Sequence, residues 1–337
     1  MQKILVIQTA FIGDVVLSTA LVESLHKQYP TALIDILVRK GNESLFNEHP
    51  FMHKVLVWDK QKHKYKNWLK ILLQIRKSKY DAIVNVQRYA ATGIWTAFSN
   101  ATLKIGFDKN PFSFLFTHCI KHVETVKGVH EIHKNHALLS VLNVIELCKP
   151  KLYPSKQDYE KVLSLQSIPY LCIAPASVWF TKQFPVQKWI QLLNEIPFEG
   201  VIYIIGGPGD KTLAAEIIQG IQVSNQSKKQ IINLVGQLSF LASAALQQKA
   251  VLNYVNDSAP MHFASAMNAA VVAIYCSTIP DFGYGPLSEQ SFIVETTQVL
   301  KCRPCGVHGK KACPLGHFNC ATTIEMKQLF TPLLQMA

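Results

Sequence analysis

Short apolar runs alternate with longer stretches of helical periodicity along nearly the whole chain. In the first half the runs cover residues 4–7, 33–38, 55–58 and 82–86. Each is of strand length and almost wholly apolar, as in a strand buried on both faces of a parallel sheet. Between them, residues 16–29 and 65–78 place apolar side chains three and four apart, and a further helix is predicted over 134–147. The second half repeats the pattern. Runs at 171–174, 201–205, 231–234, 251–255 and 271–275 alternate with helical stretches at 186–196, 211–221, 240–247 and 261–267. Such alternation builds βαβ units and parallel sheets covered by helices.

The two series are separated by the polar, proline-bearing segment KPKLYPS at 149–155, the candidate linker. The expectation is an α/β chain of two Rossmann-like domains, 1–152 and 153–322, followed by a helix over 323–337. A chain of 337 residues fits that division, and 49% hydrophobic residues suffice for two cores. The longest apolar stretch, near 269–276, is far shorter than the ~20 residues that span a bilayer. The first apolar run is interrupted by Gln8 and Asp14 and preceded only by Lys3, which makes a poor secretory signal. A soluble, cytoplasmic protein is expected.

Candidate chemistry gathers where the predicted strands end. The stretch FIGDVV at 11–16 follows the first run and opens the first helix. Gly13 suits a turn, where a missing Cβ permits close approaches. Asp14 stands at the helix N-terminus, either as an N-cap worth about 1 kcal/mol or as a functional carboxylate. In the second half, Pro175-Ala176-Ser177 follows one strand with Lys182 a few residues on. Gly206-Gly207-Pro208-Gly209-Asp210 follows the next, and Asn256-Asp257-Ser258-Ala259-Pro260 opens a helix carrying His262. Small residues with free N–H groups at a helix N-terminus favour anions. Lys182 adds a cation for a diphosphate, and Asp210 a carboxylate for ribose hydroxyls. Any one such turn can be only a turn. Three at one sheet edge point to a nucleotide-binding cleft.

A net charge of +12 points to an acidic partner. Lys60, Lys62, Lys64, Lys66 and Lys70 lie close together, with His63, Tyr65 and Trp68 among them. They form either a solvated helix face or a contact for an anionic membrane or acidic glycolipid. No nucleic-acid-binding module is recognisable, so no nucleic-acid partner is expected. Cys119, Cys148, Cys172 and Cys276 are scattered, whereas Cys302, Cys305, Cys313 and Cys320 fall together with His308 and His317 between them. The first pair has zinc-ligand spacing and the second does not. A reduced, structural cysteine loop is the expectation and zinc the alternative.

Taken together, FIGDVV, Ser177 and Lys182 ahead of Phe184-Pro185 and Trp189, GGPGD and NDSAPMH resemble the ADP-heptose:lipopolysaccharide heptosyltransferases, glycosyltransferase family 9. The motifs occur in the family's order over nearly the whole chain. The resemblance implies a GT-B fold, with two Rossmann-like domains facing a central cleft. The acceptor would lie on the first domain and the nucleotide sugar on the second, with the last helix crossing back onto the first. It implies that Gly13 and Asp14 are the family's Gly-Asp pair and that Asp14 is the general base. Ser177 and Lys182 match its phosphate-binding hydroxyl and lysine. Asp257, Ser258, Ala259 and His262 match its Asp-Ser/Thr-Gly…His motif, with alanine in the glycine position. Gly207 and Asp210 fall in the nucleotide-sugar half, Asp210 as the acidic ribose contact. Gln87 fits a family glutamine after the fourth strand. Arg88 and Lys134 are candidates for an acceptor phosphate or carboxylate. Cysteine-rich tails occur in some members.

The activity implied is inverting transfer of heptose from ADP-heptose to an acidic glycolipid, lipid A–Kdo or the inner core of lipopolysaccharide or lipooligosaccharide. The place implied is the cytoplasmic face of the inner membrane, and a monomer is expected. Inverting transfer needs a base for the acceptor hydroxyl and positive charge on the departing diphosphate, which Asp14 and Lys182 can supply. No Asp-x-Asp sequence occurs, so neither a catalytic metal nor a cofactor is expected. Two other classes compete: a glycosyltransferase using another nucleotide sugar, and a non-enzymatic nucleotide- or metal-binding protein.

Overall fold

The computed structural model describes residues 1–123, 127–222 and 229–336. The chain divides into two compact units, Met1–Tyr153 and Pro154–Ala337. The boundary falls inside the expected linker.

The first unit is built on β1 (Lys3–Ile7), β2 (Leu33–Arg39), β3 (Met52–Trp58), β4 (Ala82–Asn85), β5 (Leu103–Phe107) and β6 (His118–Ile120). All pair in parallel, in the order β3-β2-β1-β4-β5-β6. The four apolar runs of the first half are β1–β4. The two strands absent from the sequence pattern are β5, broken by Lys104 and Gly106, and β6, a three-residue strand at the sheet edge. β1 and β4 lie side by side, with Val6 opposite Val84, so strand order reverses between them. That reversal opens a crevice at the carboxyl ends of the two strands, where open α/β sheets bind ligands.

Helix Ile12–Gln28 buries an almost continuous stretch, from Val15 to Leu25, in the first unit's interior. The segment before the boundary is tied to this helix. The Lys151 N–H donates to Thr19 Oγ1 at 2.9 Å, the Cys148 N–H to Ser24 Oγ at 3.0 Å, and the Tyr153 hydroxyl to Glu23 Oε1 at 3.0 Å. The helix expected over 134–147 is shorter than the pattern suggested. Helix Glu131–His136 passes into a 3-10 turn, Ala137–Leu142, which Asn143 ends at φ 53°. Asparagine tolerates that left-handed conformation better than most residues.

The second unit repeats the plan with β7 (Tyr170–Ala174), β8 (Gly200–Ile204), β9 (Lys229–Asn233), β10 (Leu252–Asn256), β11 (Val271–Tyr275) and β12 (Ser291–Glu295). The parallel order is β12-β11-β10-β7-β8-β9, with its reversal between β7 and β10. Two Rossmann-type sheets therefore follow one another, the α/β architecture expected of a GT-B chain. The core of the second unit includes Phe184 edge-on to Trp189, ring centres 5.4 Å apart. In the last helix, Met326–Met336, Leu329 and Leu333 are buried in the second unit's core. The Tyr254 hydroxyl donates to the Leu329 carbonyl at 2.9 Å. Its apolar face is occupied within the second unit. Among the described residues, no helix is long and apolar enough to cross a membrane.

Candidate active site

In the first unit the crevice between β1 and β4 is lined by amides. Gln8 follows β1 and Gln87 follows β4, and both are buried. The Gln8 Oε1 accepts from the Ala10 N–H at 3.2 Å and from Gln87 Nε2. The Asn85 Oδ1 accepts from the Gln87 N–H at 2.9 Å. These bonds fix which way each amide points. They leave Gln87 Oε1 and Asn85 Nδ2 buried without a protein partner among the described residues. Buried polar atoms of this kind call for a partner.

Asp14 is half-buried in the first turn of helix Ile12–Gln28. The capping position belongs to Phe11, which makes no side-chain cap bond. The N-cap alternative for Asp14 therefore fails on position: Asp14 is the third helical residue. Gly13 is likewise the second residue of the helix and not part of the preceding turn. A first-turn carboxylate sits where the helix dipole favours negative charge.

Lys134 is buried on helix Glu131–His136, with Glu131 Oε2 at 3.6 Å. Burial raises the Glu131 carboxyl, while Lys134 and then Arg88 pull it down. Arg88 itself is exposed. Arg88 and Lys134 thus share one acidic neighbour just beyond Gln87.

In the second unit the residues after β7 and β10 converge. Lys182 ends the short turn Phe180–Lys182, and its Nζ lies 2.7 Å from Asp257 Oδ2. Their side chains are 15% and 7% exposed. The Thr278 hydroxyl donates to the same Asp257 oxygen at 2.7 Å. Asn256, fully buried, clamps the loop from the other side. Its Oδ1 accepts from the Phe184 N–H at 3.0 Å and its Nδ2 donates to the Pro175 carbonyl at 2.7 Å. Across the same loop, Gln183 Nε2 donates to the Ser177 carbonyl at 2.5 Å. Ser258 holds the N-cap position of helix Ala259–Ala266 without a side-chain cap bond, with Pro260 at the second helical position and His262 buried one turn in. Ser258 and Ala259 thus stand at a helix N-terminus beside the Lys182–Asp257 pair.

The GGPGD turn is more self-contained than expected. Asp210 Oδ2 accepts from the Gly207 N–H at 2.7 Å, which closes the turn locally. A Cβ at Gly206 would stand 2.8 Å from that oxygen. The same carboxylate was assigned to ribose, and at least one of its oxygens is engaged at home.

The four clustered cysteines are free thiols. Cys302 Sγ and His317 Nε2 are 3.9 Å apart, and Cys305 Sγ points to the Cys302 carbonyl at 3.3 Å. Among the described residues, no three His, Cys, Asp or Glu side chains are arranged to hold a metal ion together.

Sequence reasoning missed Thr278, Asn85 and Glu131, and named Asn256 only as part of its turn, with no role. Thr278 follows the end of β11, so the strand-end rule that singled out Asp257 applies equally there.

A family model described as glycosyltransferase family 9 (heptosyltransferase) matches residues 68–315. A lipopolysaccharide heptosyltransferase 3 of Escherichia coli is 27% identical over 282 residues, covering 80% of this chain and 82% of that protein. A lipooligosaccharide heptosyltransferase 2 of Haemophilus ducreyi is 23% identical over 314 residues, covering 87% and 88%. Among solved structures, a glycosyl transferase of family 9 from Veillonella parvula matches with TM-score 0.81 at 18% identity, covering 99% of this chain and 97% of that one. The E. coli heptosyltransferase WaaC with ADP matches with TM-score 0.72 at 15% identity, covering 100% of both chains.

Proposed function

The chain belongs to glycosyltransferase family 9, the heptosyltransferases, and on that premise we propose that it moves a heptose from ADP-heptose to the inner core of lipopolysaccharide or lipooligosaccharide, with inversion. The observation that carries the donor assignment is the Lys182–Asp257 pair at 2.7 Å, set beside the helix N-terminus at Ser258. A cation and a helix N-terminus at one strand edge suit a diphosphate. The similar proteins are named for heptose transfer to lipopolysaccharide or lipooligosaccharide, and one was solved with ADP.

The chemistry assigns one role to each unit. The Asp14 carboxylate takes the proton of an acceptor hydroxyl as that oxygen attacks the anomeric carbon. The bond from that carbon to the β-phosphate oxygen breaks, and its electron pair leaves with ADP. Lys182 offsets the charge that develops on the departing diphosphate. Asp257 acts on the lysine. It holds the ammonium in place and, with Thr278, fixes its direction. The acceptor is an acidic glycolipid, met by Gln87, Arg88 and Lys134. The unpartnered Gln87 Oε1 suits a sugar hydroxyl donor.

The surface of the first unit supports a lipid-anchored acceptor. On helix Lys64–Ser78, Tyr65, Leu69 and Leu73 are 82%, 50% and 58% exposed. Their spacing of four sets them in one row. Lys66, Lys70 and Lys77 are exposed alongside. Every charged residue from 60 to 79 is Lys or Arg. An apolar row edged by long cationic side chains fits the headgroup region of an anionic membrane.

A melting screen against ADP, UDP and GDP tests the donor. Selective stabilisation by ADP is expected. Selective stabilisation by UDP would transfer the reading to another nucleotide sugar.

A further inference from the structure

All three residues of the turn Phe180–Lys182 are packed against the cysteine-bearing loop that follows β12. The Phe180 and Phe318 rings lie 5.3 Å apart. Thr181, only 1% exposed, is joined to Lys310 twice. Its N–H donates to the Lys310 carbonyl at 3.1 Å, and its Oγ1 accepts from the Lys310 N–H at 2.7 Å. The same Oγ1 accepts from the Ser277 hydroxyl at 3.0 Å. Gly309 lies against the stem of Lys182. A Cβ there would stand 2.9 Å from Lys182 Cγ, and its φ of +76° already disfavours a side chain.

The loop is in turn anchored to the sheet. The Arg303 guanidinium donates to the Cys276 carbonyl at 2.7 Å, the Thr278 carbonyl at 2.8 Å and Glu295 Oε2 at 2.6 Å. The Cys305 N–H donates to the Ser277 carbonyl at 2.9 Å. Ser277 therefore touches both the loop and the turn. Thr278, next in sequence, holds Asp257. One connected set of bonds runs from the strand ends through the loop to both members of the Lys182–Asp257 pair.

We propose that the loop over residues 301–318 is a positioning strap for Lys182, acting through Thr181 and Gly309, and that this is the role of the otherwise unassigned cysteine-bearing segment. The proposal rests on the assignment of Lys182 to the donor diphosphate. The strap blocks the lysine stem on one side, Asp257 holds its ammonium on the other, and the ammonium is presented without a search over rotamers. Positioning of this kind lowers the ordering needed on binding.

The test is ADP affinity by calorimetry in a double-mutant cycle. Gly309→Ala crowds the Lys182 stem and should weaken ADP binding by about ten-fold. In a Lys182→Ala background the same change should have little further effect, because the lysine it displaces is gone. Thr181→Val removes the shared hydroxyl and should act in the same direction, whereas Thr181→Ser should restore affinity. An undiminished Gly309→Ala effect in the Lys182→Ala background would show a merely structural loop and overturn the proposal. So would parental ADP affinity in both Gly309→Ala and Thr181→Val. If Gly309→Ala does not fold, the Thr181 pair decides alone, by rescue with serine or its failure. If Lys182→Ala itself leaves ADP affinity unchanged, the donor assignment fails and the strap falls with it.

Discussion

Lys182 Nζ stands 2.7 Å from Asp257 Oδ2, joining the loop after β7 to the end of β10 across the point where strand order reverses. On the proposed reading the lysine faces the diphosphate and the aspartate stands behind it. Aspartate opposite a diphosphate would repel it. Aspartate behind a lysine orients the charge that attracts it.

Lys182→Ala should weaken ADP binding by about 1.5–3 kcal/mol, the worth of a charge-assisted bond. The loss should reach the upper end, since Asp257 is then left unpaired beside the phosphates. Asp257→Asn should also weaken ADP and lower stability by about 2–3 kcal/mol, less than a fully buried pair would lose because Lys182 keeps some solvent. Calorimetry for the first and denaturant melts for the second read these out. Parental ADP affinity in Lys182→Ala would remove the lysine from the site.

The exposed row on helix Lys64–Ser78 makes a separate forecast. The parent should sediment with vesicles containing phosphatidylglycerol and be released as salt rises, since exposed charges are screened within about 8–10 Å at physiological ionic strength. Leu69→Ser with Leu73→Ser should weaken this binding at unchanged charge. Lys66→Gln with Lys70→Gln should weaken it by roughly five-fold per lysine. Equal binding to neutral and anionic vesicles at every salt concentration would leave only a solvated face.

Much of this arrangement is legible in the sequence, and the exceptions have physical causes. β1, β2 and β4 are readable because each is an apolar run buried in a parallel sheet, and β3, at the edge, is readable from the run 55–58, of which Leu56 and Trp58 are buried. β6 is not, because it is three residues long and two of them are exposed, and β12 is not, because its apolar part is only Phe292-Ile293-Val294 between Ser291 and Glu295. The strand-end rule locates Asp14, Lys182 and Asp257. What each touches is long-range information. Nothing near Asp257 in sequence announces Lys182 as its partner, and nothing near Thr181 announces Lys310. The position of Gly13 inside the helix was unreadable because glycine serves turn and first helical turn alike.

His49 supplies a pH forecast. Its ring stands edge-on to Phe51 and Tyr153, at 4.5 and 4.6 Å, with both nitrogens buried. Burial, then the charges of His26 and Lys151, hold it down at about 4. The unfolded chain takes up a proton near pH 6.5, and the folded chain only near 4. Stability should therefore be lost as pH falls through that interval, by up to about 3 kcal/mol, and level off below it. His49→Phe should flatten that part of the profile. A melting curve equally steep between pH 6.5 and 4 in parent and variant would contradict this.

The most direct test is the rate of heptose transfer by Asp14→Asn, with ADP-heptose and an inner-core acceptor. Asparagine keeps the size of the side chain and gives up the proton-accepting charge. At the third helical position it should cost only about 0.3–1 kcal/mol of dipole interaction, so the variant should fold and bind ADP as the parent does. Its turnover should fall by roughly 10²–10⁴, the usual contribution of a positioned base. An Asp14→Asn enzyme that transfers heptose at the parental rate would contradict the mechanism.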